Sequence, residues 1–291
     1  MQTIANRIRQ RTSRTSPAPS EAGSIPAVIP NAADGLTAAL YPGCMTSMLY
    51  PEQGDAVATV LNALGVTAIT PQDLHCCGLI PHNSGDTPHA IPMAKRTIER
   101  MEAIPADYIV SGSASCVAMM TQDYLHLFRN DPVWLPRAER LSGRIVDFTS
   151  FLVNVAKLPT GCLTALDGGH RTITYHDSCQ GLNALGLRSE PRYLIQDVMG
   201  DELRELSETF CCGFGGSFSL EQPIISERLM NRKLTNADAT GAPMLVSDNQ
   251  GCLMHLRGGA DASGRKLEVR HIAELLAERV HERMPSSSEF Q

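Results

Sequence analysis

Two short stretches carry the chemistry of this chain. HCCGLIPHNSGD (75–86) and FCCGFGGSFS (210–219) each set two cysteines side by side in front of a glycine. Neighbouring cysteines make a poor disulfide, because the small ring closing between them is strained. The nine cysteines of the chain are not scattered. Cys44, Cys76, Cys77 and Cys116 form one set, and Cys179, Cys211, Cys212 and Cys252 form another. The second set follows the first by 135 residues at three positions and by 136 at the last. Only Cys162 has no counterpart. Burial as a small apolar side chain explains any one cysteine, but it does not explain a duplicated set.

Four thiolates brought together hold Zn²⁺ or an iron–sulfur cluster. Side chains alternate in direction along an extended chain, so the CC pair must bend sharply to aim both sulfurs at one centre. A cluster offers several metal atoms and accommodates that divergence better than a single tetrahedral zinc. The glycines that follow, Gly78 and Gly213, allow the tight turn and leave room for a bulky group. Amide N–H groups of the GFGGSFS stretch are placed to donate to sulfur, which raises a cluster's reduction potential.

The elements that position these cysteines repeat as well. TAALYPGC (37–44) and TITYHDSC (172–179) both read as a strand running into a turn. PEQGDAVATVLNALG has helical periodicity, with proline at its start and Gly65 at its end. VTAIT (66–70) reads as a strand, followed by the CCG and a helix near 89–103. DYIVSGSASC (107–116) is strand, small-residue turn and cysteine. The second half gives a helix near 190–199, the CCG, a helix near 223–239 and PMLVSDNQGC (243–252). RIVDFTSFLV (144–153) and LEVRHIAELLA (267–277) close the halves alike, and LPTGCLTALDGGH (158–170) reads as a linker. Alternating strands and helices predict an α/β fold of two duplicated units with parallel sheets flanked by helices, related by a pseudo-two-fold. The expected divisions are a tail over 1–36, a first unit over 37–157, the linker over 158–170, a second unit over 171–282 and a tail over 283–291. Loops at the carboxyl ends of such strands gather on one edge, where ligands bind. Every cysteine of both sets follows a predicted strand, so residues far apart in sequence converge.

Composition narrows the setting. The chain has 291 residues, 43% hydrophobic and 19% charged, with a formal net charge of −6. No long basic run crosses its body, which argues against nucleic acid as its partner. No stretch approaches the ~20 apolar residues of a membrane span, and no secretory core of ~7–15 apolar residues opens the chain. The cysteines therefore read as reduced thiols of a cytoplasmic protein. Arg7, Arg9, Arg11 and Arg14 stand among Ser, Thr and Pro, the composition of a disordered tail; an organellar targeting peptide has a similar one.

The arrangement of a cysteine, a CCG about 32 residues on and a further cysteine about 39 beyond, occurring twice, resembles the cysteine-rich CCG-domain family. That family includes the heterodisulfide reductase B subunit and the iron–sulfur subunit of glycolate oxidase. YPGCMTSMLYPEQGDAV, SGSASCVAMM, TYHDSCQGLNALGL, GCLMHLRGG and HIAELLAERV add a finer likeness to its lactate utilization A group, the iron–sulfur subunits of an L-lactate dehydrogenase complex. The resemblance covers about 38–282. It implies an electron-transfer subunit, itself non-catalytic, of a cytoplasmic complex oxidising L-lactate or a related 2-hydroxy acid. It implies as partners a ferredoxin-type B-like subunit and a C-like subunit, through which the chain could meet a membrane peripherally. It also implies one or two 4Fe–4S clusters on the eight cysteines. In the heterodisulfide reductase subunit the last cysteine of each set belongs to a CxxC. Here Met119 and His255 stand at those positions, leaving four cysteines per set. That favours an ordinary cluster, or zinc in one site, over a disulfide-cleaving centre. A cluster-dependent thiol–disulfide reductase and a zinc-binding scaffold subunit are the alternative functions.

Other residues have less certain parts. His176, beside Asp177, either hydrogen-bonds to or protonates the centre, or caps a strand; His75 has the same options. His255 is chemically fit to replace the missing cysteine, though a surface histidine is the simpler reading. His271 reads as structural. No P-loop, dinucleotide fingerprint or nucleophile–base constellation appears.

Overall fold

A computed structural model describes residues 29, 33–71 and 75–283. The arginines of the N-terminal segment and residues 284–291 lie outside the described residues. Among the described residues eight strands form two four-stranded sheets, all parallel. The first comprises β1 (Thr37–Leu40), β2 (Thr67–Ile69), β3 (Tyr108–Ser111) and β4 (Ile145–Asp147), in the order β2-β1-β3-β4. The second comprises β5 (Thr172–Tyr175), β6 (Glu202–Leu203), β7 (Met244–Ser247) and β8 (Glu268–His271), in the order β6-β5-β7-β8. Even the register repeats: Thr37 pairs with Thr67 as Thr172 pairs with Glu202, and Ala38 with Tyr108 as Ile173 with Met244. The duplication read from the cysteines is a duplication of fold.

Helices stand where periodicity places them after the strands and CCG turns, and further helices carry the four lone cysteines, where the sequence reads only as turns. α1 (Gly43–Leu49) carries Cys44. α2 (Pro51–Ala63) starts on its proline and stops before Gly65, whose φ of +75° suits a residue without Cβ. α3 (Thr87–Glu102) follows the first CCG and takes Asp86 as its cap. α4 (Ala114–Ala118) carries Cys116, α5 (Cys179–Ala184) begins at Cys179, and α6 (Pro223–Ala239) follows the second CCG. α7 (Gln250–Ala262) carries Cys252, and α8 (Ile272–His281) ends the described chain. Among the described residues no helix is long and apolar enough to cross a membrane.

Alternation along each strand builds three cores. Ala38, Leu40 and Val110 face one side of the first sheet, while Ala39, Ile109 and Ile145 face the other. The inner faces of both sheets share a single core, in which Leu40 and Val110 join Ile173, Tyr175 and Val246. The closing helices cross over. α8, from the second unit, packs along α2 of the first, with Leu275, Leu276 and Val280 in the same cluster as Val57, Val60 and Leu61. In return the helical segment after β4, with Phe151 and Leu152, shares that cluster with Leu194, Ile195 and Val198 of the second unit. Each unit thus lends a helix to the other, and neither sheet is covered without its partner.

Caps fix where these exchanged helices begin. Asp147 accepts from the backbone N–H of Thr149 and Ser150 at 2.8 and 3.2 Å. At the matching place His271 accepts from Ala273 N–H through Nδ1 at 3.1 Å, and its Nε2–H donates to the carbonyl of Gly112 at 2.7 Å. Burial pushes this histidine down to about 4, so it spans the two units as a neutral ring. Asp147 reaches across toward Asp248 and Tyr175, all three fully enclosed. Burial, and then the like charge of Asp147, push Asp248 up to about 8.

An ordinary aspartate releases its proton near pH ~3.9, whereas folded Asp248 keeps it to about 8. Stability is therefore present at low pH and is lost as pH rises through that window. Asp248→Asn keeps the shape and stays neutral. Its melting temperature is expected to gain on that of the parent chain from about pH 5 upward, with the gap levelling off above about pH 8. A gap independent of pH would show that Asp248 ionises normally.

Candidate metal centre

Each quartet is assembled from three loops at the carboxyl ends of strands, as parallel topology requires. Cys44 follows β1, Cys76 and Cys77 follow β2, and Cys116 follows β3; β5, β6 and β7 place Cys179, the Cys211–Cys212 pair and Cys252 in the same way. All eight line one cavity of ≈ 130 Å³, with Met45, Leu79 and Phe214 among its apolar walls. The two quartets thus face a common space. Cys162 is not among the lining residues; it packs, partly buried, against the shared core.

The lone cysteines all sit in first helical turns. Cys44 is the second residue of α1, Cys179 the first of α5, and Cys116 and Cys252 the third residues of α4 and α7. Unpaired N–H groups and the positive end of the helix dipole favour thiolate there. The caps hold the geometry: Ser178 accepts from Gly181 N–H at 3.1 Å, and Asn249 from Cys252 N–H at 3.4 Å.

Within each quartet the sulfurs form a chain. The Sγ atoms of Cys77 and Cys116 lie 3.6 Å apart. Cys76 bridges Cys44 and Cys77, and Cys211 bridges Cys179 and Cys212 in the same manner. Protons sort themselves along this chain. Thiols donated by Cys44 and Cys77 hold Cys76 down at about 3; those of Cys179 and Cys212 hold Cys211 at about 2. Cys212 lowers Cys252 to about 6, and Cys77 lowers Cys116. Cys44, Cys77, Cys179 and Cys212 are pushed up, each first by the thiolate it donates to. In each quartet two thiols are pushed up and two down, so that protons shared along the chain separate the four sulfurs. A metal cation does that work better and displaces the protons.

The CC–Gly turn bends as its chemistry demands. Gly78 and Gly213 take φ of +88° and +94°. A Cβ on Gly213 would meet the Ser226 carbonyl oxygen at 2.6 Å and Leu229 Cβ at 2.8 Å, whereas on Gly78 the closest atom would be Ala90 O at 3.2 Å. Backbone N–H of Gly213 and Phe214 donates to Cys211 and Cys212 sulfur at 3.4 and 3.5 Å. Before the paired cysteines, Tyr41 and Tyr124 donate to the carbonyls of His75 and Cys77 at 2.5 and 2.7 Å.

The histidines divide. His176 is fully buried, and a ring nitrogen lies within 4.8 Å of the sulfurs of both Cys212 and Cys252. Neither of its nitrogens has another partner. His255 instead meets Ser226 Oγ at 3.2 Å, and that hydroxyl donates to Gly213 O at 2.8 Å, so it braces the turn from behind. His75 turns its Nε2 into the protein without a partner. The structure gathers His176 with sulfur and leaves His255 on the turn. Neither periodicity nor the offset distinguishes them, because His176 and His255 take the places of Tyr41 and Met119 in the first unit.

Gly213→Ala is expected to distort the second quartet and lower metal content per chain by about half, with Gly78→Ala milder because its Cβ has more room. Equal losses, or none, would show that the turn does not set the ligand geometry. Cys162→Ser is expected to leave metal content unchanged; a lost metal would overturn the division into two quartets.

Comparison with known proteins agrees with this architecture. The model of the cysteine-rich CCG domain matches residues 38–121 and again 173–257, one match per sheet. Lactate utilization protein A of Exiguobacterium sp. is 37% identical over 246 residues, 83% of this chain and 97% of that protein. Its counterpart in Shouchella clausii is 37% identical over 243 residues, 83% of this chain and 98% of that one. A crystal structure of a hypothetical protein from Helicobacter pylori superposes with a TM-score of 0.57 at 10% identity. It matches 96% of this chain, which spans 54% of that one, and the likeness is one of fold. The chain belongs to the cysteine-rich CCG-domain family, in the group of the lactate utilization A proteins.

Proposed function

We propose that the chain is the iron–sulfur electron-transfer subunit of a complex that oxidises L-lactate, or a related 2-hydroxy acid, to the 2-oxo acid. The observation that carries this reading is the pair of cysteine quartets, which line one cavity with their lone cysteines in first helical turns. Lactate enters through the name its relatives bear. The donor set fits a metal–thiolate group. Four sulfurs per site meet the ligand count of a 4Fe–4S centre, and the left-handed glycines let the chain turn after the paired cysteines while packing against the helix that follows. Cys44, Cys76, Cys77 and Cys116 would hold one centre; Cys179, Cys211, Cys212 and Cys252 would hold the other. A bound cluster would supply reversible one-electron storage.

The residues of this chain do the rest. Amide N–H groups of Gly213 and Phe214 spread negative charge away from sulfur. Leu79, Met45 and Phe214 keep the cavity wall apolar. Cys77, Cys116, Cys212 and Cys252 are buried, whereas Cys44, Cys76, Cys179 and Cys211 are partly open, giving each quartet a face toward solvent through which an electron carrier can be met. Among the described side chains lining the cavity no general base or cation is set to bind and deprotonate a hydroxy acid. That division of labour assigns substrate oxidation to companion subunits, of which a ferredoxin-type B-like protein and a C-like protein are the candidates.

Iron, acid-labile sulfide and zinc per chain, measured on anaerobically purified protein together with an absorbance spectrum before and after dithionite, test the proposal. Iron and sulfide near about four or about eight per chain, with a brown band that bleaches, are expected. Zinc near about one or two per chain in a colourless solution would overturn it and leave a scaffold subunit.

A further inference from the structure

Duplication supplies an internal comparison: the same scaffold carries two quartets, and the side chains around them can be set against each other place by place. Lys233 is the sharpest difference. It lies on α6, 21 residues after Cys212, where the first unit has Ile98 21 residues after Cys77. Ile98 is wholly buried in the same apolar cluster as Cys77. Lys233 is equally enclosed, with 1% of its surface exposed. Its Nζ sits 3.9 Å from the centroid of the Phe210 ring and 3.4 Å from the carbonyl of Glu208, beneath the segment leading into Cys211 and Cys212.

No carboxylate pairs with this ammonium among the described ion pairs. A buried cation without a carboxylate partner is costly, and the Phe210 ring and the Glu208 carbonyl offset only part of that cost. Burial pushes Lys233 below the usual lysine range, and Cys212, Asp177, Cys211 and Cys252, in that order, push it back toward the charged form. Asp177 is already engaged by Arg192 through two bonds of 2.9 and 3.0 Å. The sulfurs are what remains. His176 adds to the contrast, since the first unit has Tyr41 in its place. Among cations at the first quartet, Arg96 borders a surface depression with Cys44 and Cys76, but it is solvent-exposed and screened.

We propose that Lys233, a buried ammonium unmatched in the first unit, makes the second centre the more easily reduced of the two. This rests on the reading of both quartets as electron-carrying centres. An added electron raises the negative charge of a thiolate-bound group, and a fixed buried cation stabilises the reduced form more than the oxidised one. When the pair holds one electron, it settles on the second centre: that centre is reduced by one electron and the first is oxidised by one. Lys233 is a positioning residue for charge, not a ligand.

The test is an anaerobic potentiometric titration followed by electron paramagnetic resonance, run after iron and sulfide have been assayed. The parent chain is expected to show two reduction steps, with Cys76→Ser removing the lower one. Lys233→Ile, which installs the residue of the first unit, is expected to move the higher step down by at least tenfold in the reduced-to-oxidised ratio, 59 mV for one electron. The lower step stays put. Lys233→Arg, keeping the charge, is expected to retain most of the separation; Lys233→Gln serves where Lys233→Ile loses its second centre. Unmoved potentials in a fully iron-loaded Lys233→Ile or Lys233→Gln, or a single unresolved step in the parent, would overturn the proposal. Zinc without iron would remove the electron-carrying reading itself, and this ordering with it.

Discussion

Holding four sulfurs together against their own repulsion is the constraint from which this structure follows. Two thiolates at 3.6 Å, the separation of the Cys77 and Cys116 sulfurs, would repel strongly in a buried site. The chain answers in three ways. It leaves half of the thiols protonated, so that each S–H donates to a neighbouring thiolate. It places every unpaired cysteine in the first turn of a helix, where N–H groups and the dipole are positive. It also turns the backbone after each CC so that amide hydrogens point back at sulfur.

None of these devices works on a loose scaffold, and that explains the exchanged helices. The cysteine loops project from short strands of two to four residues, too little sheet to fix them alone. Placing α8 on α2, and the Phe151–Leu152 segment against Leu194 and Ile195, merges the inner faces of both sheets into one core. A shift of one sheet would then open the core of the other. His271, bonded to Gly112 across the seam, ties the cap of α8 to the loop that delivers Cys116. Rigidity at the sulfurs is thereby drawn from the whole chain, as ligand geometry for metal demands.

Much of this was legible in the sequence because duplication writes the same constraint twice. Offsets of 135 and 136 grouped the cysteines, and alternating strand and helix patterns placed them on one edge. The limits of α3, α6 and the closing segments agree with their periodicity to within a few residues. The crossing of the closing helices was not legible, since an apolar helix face does not say which sheet it will cover. Nor was the part of His176: a histidine after a strand looks the same whether its ring turns to sulfur or to a cap. Asp248 and Lys233 were missed for a related reason. Charged residues in an otherwise ordinary amphipathic pattern read as solvent-facing, and only the third dimension shows them enclosed. Aligning the two halves would have found them, because Gly112 and Ile98 occupy their places in the first unit.

Strand registers, turn glycines and cysteine exposure are shared between the halves, whereas most side chains are not. Leu40, Tyr41, Ile98 and Gly112 in the first unit are matched by Tyr175, His176, Lys233 and Asp248 in the second, all four of them enclosed. Each exchange replaces an apolar, small or weakly polar residue by one more strongly polar or ionisable. Polar groups at such depth cost stability, and one unit of the same fold does without them. Identical centres would need identical surroundings, so the burden falls where charge acts on the second quartet. The scaffold keeps the geometry of the sulfurs constant, while the residues packed beneath them set one site electrostatically apart from the other.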